Sequence, residues 1–222
     1  AGQPDIVRLE VDPGPRARIS RVTIEAQGDL ERDAAAGEAH AVATLAALRQ
    51  KWQLPVGQAF RNPDWNGAKS AALAELRAAG YANATWAGSG AEIDVTSNEV
   101  RLFLVAESGP LFRFGELQIE GLVAHDAQTV AHLADMPRGV PVTETLLLDF
   151  QERLIKSGLF EGVNVVLDPD PSRAADARIV ARLREAPLQV YTFGVGISSN
   201  NGPRVSVEHA YRRVFGRAAS AD

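Results

Sequence analysis

The stretch VRLFLVAESGPLFRFGELQIEGL, residues 100–122, holds two strand-like runs broken by Gly109-Pro110. Proline fixes φ and offers no N–H to a ladder, so the pair ends one strand and re-aims the next. The same layout stands in VRLEVDPGPRARISRVTIEAQGD, residues 7–29, broken at Gly14-Pro15. The strands after each break alternate. Ile19, Val22 and Ile24 mark one inward face, and Phe112, Phe114, Leu117 and Ile119 mark the other. In both, the spacing slips by one midway, which predicts a bulge or an early bend.

The likeness continues downstream. LPVGQAFRNPDWNGAKSAALAELRAAGY (54–81) parallels MPRGVPVTETLLLDFQERLIKSGLF (136–160). Each has Pro-x-Gly, a short connection, a helix, then Gly with an aromatic within two residues. In the first, Asn62 reads as an N-cap, Pro63 as the first helical residue and Gly80 as the stop. In the second, Thr143 caps a helix whose Leu147, Phe150 and Leu154 recur at helical spacing, and Gly158 ends it. An earlier helix precedes each Pro-x-Gly. One carries Ala41, Leu45, Leu48 and Trp52 on a single face; the other, shorter, carries Val130 and Leu133. Two strands close each unit: 83–86 and 99–106 in the first, 163–167 and 177–183 in the second. The segments between them, SGAEIDVTSN and DPDPSRAAD, read as turns, with AEIDV (91–95) able to extend the hairpin arm.

A repeat of this size sets the architecture. Each unit is β-α-α-β-β: an α+β module with a three-stranded sheet and two helices on one face. The crossover through helices suggests a split arrangement with the last strand central. The first and second strands are then exposed edges, and exposed edges pair with other chains.

The tail YTFGVGISSNNGPRVSVEHAYRR (191–213) has another character. Tyr191, Phe193, Val195 and Ile197 share one face of its first run, and Val205, Val207 and Tyr211 one face of its second. Glycine, Ser, Thr and charged residues fill the opposite face. Runs of ~9–11 residues that alternate in this way suit strands of a membrane barrel, with those seven side chains toward lipid.

Composition narrows the chemistry. The chain has 222 residues, a net charge of −5 and no cysteine, which excludes disulfides, thiol catalysis and thiolate metal sites. No basic run marks a nucleic-acid surface. His40, His125, His132 and His209 are scattered, and 125 and 132, two turns apart, cannot chelate one ion. FGVG lacks the third glycine of a dinucleotide loop, and DPDPSRAAD lacks the twelfth-position glutamate of a calcium loop. Trp52, Trp65 and Trp86 read as packing residues. No catalytic, cofactor-binding or metal-binding set is expected, and the chain is read as a scaffold, not an enzyme.

The strand–helix–helix–strand–strand unit, Pro-x-Gly before the second helix, Gly80-Tyr81 and Gly158-Leu159-Phe160 after it, and Gly-Pro at each junction resemble POTRA repeats. These are the polypeptide-transport-associated domains of outer-membrane β-barrel assembly factors. With its barrel-like tail the chain resembles most the outer-membrane subunit of the translocation and assembly module (TamA type). The resemblance implies that residues 1–15 are the last strand of a truncated preceding repeat, 16–108 and 109–187 are POTRA repeats, and 188–222 begins the barrel as its first hairpin. The chain is then part of a longer protein.

It further implies an outer-membrane location in a Gram-negative bacterium, with this region mainly periplasmic. The expected partners are unfolded outer-membrane or autotransporter polypeptides and an inner-membrane-anchored protein that spans the periplasm. They would bind by β-augmentation, main chain to main chain. The expected edges are Val163, Asn164, Val165, Val166 and Leu167, with Asn83, Ala84, Thr85 and Trp86 as their counterpart. No cofactor is implied. The competing reading is a soluble POTRA-type interaction module of a secretion or cell-division protein, ending in an ordinary hairpin.

Overall fold

The computed structural model describes residues 14–187 and the backbone of 189–198, 202–214 and 217–221. These form two compact units, the first within Ala1–Leu76 and Ala84–Gly109, the second within Arg77–Asn83 and Pro110–Asp222.

In the first unit, β1 (Arg18–Gln27) leads through helices α1 (Asp29–Ala35), α2 (Ala39–Gln50) and α3 (Asn62–Ala78) to β2 (Thr85–Asp94) and β3 (Glu99–Glu107). The sheet order is β1-β3-β2, so the last strand is central. It lies parallel to β1 and antiparallel to β2. Period-two burial on β3 sends Val100, Leu102, Leu104 and Ala106 to the covered face. Ile19, Ile24, Leu30, Leu48, Trp65, Ala68, Ala72 and Leu76 complete the core.

The second unit repeats the plan. Strand β4 (Phe114–Glu120), helices α4 (Ala127–Ala134) and α5 (Glu144–Lys156), then β5 (Phe160–Leu167) and β6 (Ala177–Glu185) follow in order. The sheet is β4-β6-β5, again with the last strand central. Its core gathers Phe112, Val130, Phe150, Leu154, Ile179 and Ala181, with Leu117 and Ile119 against it. Thr143 caps α5 by accepting the Leu146 N–H at 3.2 Å. Asp126 caps α4 in the same way, accepting from Gln128 and Thr129.

The slip in spacing is real. The β1–β3 register shifts between Ile19 and Arg21, and the β4–β6 register between Phe114 and Glu116. The antiparallel pairs slip alike, between Trp86 and Gly88 and between Phe160 and Gly162.

Some details differ from the sequence reading. The first unit has an extra helix, α1. Its Leu30 is fully buried, and the Leu30 N–H donates to the Ser108 hydroxyl. Asn62 lies inside α3, and the Arg61 carbonyl takes the first helical bond, from the Trp65 N–H at 3.0 Å. SGAEIDVTSN is mostly strand and not turn, because β2 runs to Asp94, the extension through AEIDV that the sequence allowed. Its turn is made by Asp94, which accepts from Thr96 and Ser97, and by Asn98 at φ 55. DPDPSRAAD is a 3-10 turn over Pro171–Asp176, capped by Asp170.

Strands β7 (Gln189–Ser198), β8 (Gly202–Val214) and β9 (Arg217–Ala221) form a third sheet in sequence order. Residues 1–13, where the last strand of a preceding repeat is expected, lie outside the described residues.

Candidate functional site

The features that set these units apart from closed sheets are their edges. Among the described residues, β5 pairs only with β6, and β2 only with β3. Asp168 N–H donates to the Arg178 carbonyl at 2.9 Å, so the even-numbered residues of β5 face β6. Alternation then turns the N–H and C=O of Val163, Val165 and Leu167 to the open edge. Val165 buries its side chain in the core, and Val163 and Leu167 pack half-buried against it. Asn164 is exposed and Val166 is half-buried. The edge therefore offers main chain more than side chain.

The counterpart edge starts later than the sequence suggests. Asn83 and Ala84 precede β2: Asn83 donates its amide to the Pro169 carbonyl at 3.2 Å, and Ala84 is fully buried. Thr85 and Trp86 open the strand, and the Trp86 indole donates to the Lys69 carbonyl at 3.3 Å. Beyond them Gly88 and Gly90 carry no side chain, and a Cβ at either would meet open space.

The outward sheet faces differ between the units. On the second, Glu116 receives Arg173 and Arg178, Glu120 receives Arg182, and Glu161 receives Arg184. Arg173 first, then Arg178, holds the Glu116 carboxyl below its usual value. On the first, Phe103 stands 47% exposed across from Thr23 and Gly90.

Sequence reasoning missed Glu185, at the end of β6. Its carboxylate accepts N–H groups from Val123, Ala124 and His125 at 2.9 to 3.0 Å. Burial alone would raise its pKa; the three amides outweigh that and hold it below the ordinary value. The only sequence signal is a turn-rich segment facing an acid at a strand end. His125, beside it, is buried with its ring edge-on to Phe160 at 5.8 Å.

In the tail the register sets Tyr191 opposite His209, Phe193 opposite Val207, and Val195 opposite Val205. Tyr211 lies across from Gln189, and Ile197 from Pro203. All seven candidate lipid-facing positions thus share one face of the β7–β8 pair. Phe193 and Val207 are 72% and 63% exposed.

Among the described residues, no group of three or more His, Asp or Glu could hold a metal ion, and no helix is long and apolar enough to cross a membrane.

No protein-family model matches the chain. Solved structures do. BamA from Haemophilus ducreyi lacking POTRA domains 1–3 matches 91% of the chain at 17% identity, with a TM-score of 0.63. POTRA domains 3–5 of BamA from Haemophilus influenzae match 77% at 23% identity, TM-score 0.49. CdiB from Acinetobacter baumannii matches 97% at 13% identity, TM-score 0.46. The chain spans 36%, 61% and 39% of those structures. The superposition on the first, with the strand order and repeated unit above, defines the fold class. Each unit has the α+β POTRA-type fold, and the chain is a tandem of them.

Proposed function

We propose that this chain is the periplasmic scaffold region of an outer-membrane factor that assembles or translocates other polypeptides, of the TamA type. Residues 16–108 and 109–187 are its POTRA repeats, 1–15 closes a preceding one, and 188–222 begins the barrel. It is not an enzyme. It binds unfolded outer-membrane or autotransporter chains, and a partner anchored in the inner membrane, by adding their strands to its sheet edges.

One observation carries the reading: three consecutive outward residues of β5, Val163, Val165 and Leu167, present main chain that is unpaired among the described residues, beside a buried apolar core. A client strand laid there gains hydrogen bonds indifferent to its sequence, which suits a factor with many clients. The tail supports the barrel assignment, since its register gathers the apolar positions on one face.

The test is Val163→Pro. The Val163 N–H points away from β6, so proline removes an edge donor and spares the β5–β6 ladder. Its side chain is less buried than that of Val165. Strand-peptide affinity is expected to fall by about tenfold, the value of one or two lost main-chain bonds. Unchanged affinity, with an unaltered circular-dichroism spectrum, overturns the use of this edge.

A further inference from the structure

The first unit carries a second strand-docking feature, on the opposite edge of its sheet. Two adjoining grooves run along β1. One, of about 610 Å³, is lined by Val22–Glu25 and by Trp52, Pro55 and Val56. The other, of about 460 Å³, is lined by Glu25–Gln27 and by Glu31, Ala35 and Leu45. Arg49 and Glu25 line both, so together they form a trench along six successive residues of edge backbone.

The direction of the backbone groups is settled by Gln27. Its carbonyl accepts from Ser108 N–H, on the β3 side. Alternation then turns Ala26, Ile24 and Val22 toward the trench. Among the described residues, nothing pairs with them.

The chain shows what such an edge takes. Just before the trench its own segment pairs antiparallel with β1, Ala59 opposite Arg18. Ile19 N–H donates to the Gln58 carbonyl at 2.9 Å, and Gly57 N–H to the Ile19 carbonyl at 2.7 Å. The segment then leaves the edge through a turn closed by Gln58 N–H on the Pro55 carbonyl, with Gly57 at φ +91. The ladder stops because the chain turns away, not because β1 ends.

We propose that this trench is a second client site, which takes an extended antiparallel strand of alternating apolar and polar residues as a continuation of that ladder. The proposal rests on the strand-addition reading above and adds a location and a wall. The apolar side chains of the bound strand lie on Leu45, Trp52 and Val56, and the polar ones project over Thr23 and Glu25. Helix α1, which supplies Glu31 and Ala35, has no counterpart between β4 and α4. That end of the trench is therefore particular to the first unit.

The chain lacks cysteine, so a single introduced thiol reports one place. Val56→Cys puts it on the exposed rim of the trench, and Asn164→Cys, separately, on β5. Each full-length variant is treated with a peptide of about ten residues, a barrel strand's length. The peptide carries an activated disulfide and alternates apolar with polar residues; the control has the same composition scrambled. Cross-linking at Val56→Cys is expected to be about tenfold faster with the alternating peptide, the sum of two or three cross-strand pairs. Adding Arg49→Trp, which fills the centre of the trench, should remove that excess and leave the rate at Asn164→Cys unchanged. Equal rates for both peptides at Val56→Cys, with a preference kept at Asn164→Cys, overturn the trench and leave strand addition standing. No preference at either position overturns both. A Val56→Cys preference that survives Arg49→Trp, in a protein of unchanged circular dichroism, also overturns the trench.

Discussion

Gly121 shows how one residue fixes a unit. It closes β4 at φ +90, and a Cβ there would stand 2.0 Å from the Leu183 carbonyl oxygen. Gly121→Ala therefore meets both backbone strain and a clash with main chain that cannot step aside. The expected cost is about 3 kcal/mol, read as a lower urea midpoint. The turn that follows is held by Glu185. Unfolded, this carboxyl takes its proton near the ordinary 4.5; folded, it does so only at lower pH. Between those values the unfolded chain binds more protons. The stabilisation is thus complete above the ordinary value and is lost as pH falls through the folded one. Glu185→Gln should lower stability by about 2 kcal/mol at neutral pH. It should also flatten the acid limb, so that variant and parent converge as pH falls through the folded value, below the ordinary 4.5. A constant gap across that range would show that the amides do not read the charge.

At the scale of the element, the sequence was legible where a period or a cap has a local cause. The slips at Ile19/Arg21 and Phe114/Glu116 could be seen because side chains on a pleated strand keep a period of two until a residue is added. Thr143 could be seen because an N-cap needs a side-chain oxygen that accepts an amide just before a helical run. Thr143→Ala should cost about 1 kcal/mol by thermal melting, through the lost bond to Leu146 N–H. Other features were hidden because their causes are distant. Helix α1 depends on Leu30 being buried in the unit's core, and on Ser108, 78 positions away, accepting the Leu30 amide. Strand β2 extends through Gly88 and Gly90, which local propensity reads as turn, because the β3 ladder holds them. The start of the second edge was misplaced for a like reason: Asn83 is engaged by the Pro169 carbonyl, 86 residues away. The edges themselves followed from topology, but the full trench beside β1 did not, since Glu31 and Ala35, which line its second groove, belong to that unforeseen helix.

At the scale of the whole chain, the tail is expected to set its affinity for lipid. Phe193 and Val207 face each other across β7 and β8 and are both exposed. If that face belongs in a bilayer, the double variant Phe193→Asp and Val207→Asp should bind phosphatidylcholine vesicles at least about tenfold less in a flotation assay. Equal flotation of parent and variant would assign the tail to water. The strand order has a consequence of its own. Parallel pairing joins Arg18 to Glu99 and Gln27 to Glu107, and among the described residues β2 also pairs only with β3. A chain that emerges from its N terminus accordingly has no sheet until its final strand arrives, and nine residues then close it at once. Each module is latched by the last piece delivered, so a unit cut short anywhere before that strand is left with helices and no frame to hold them.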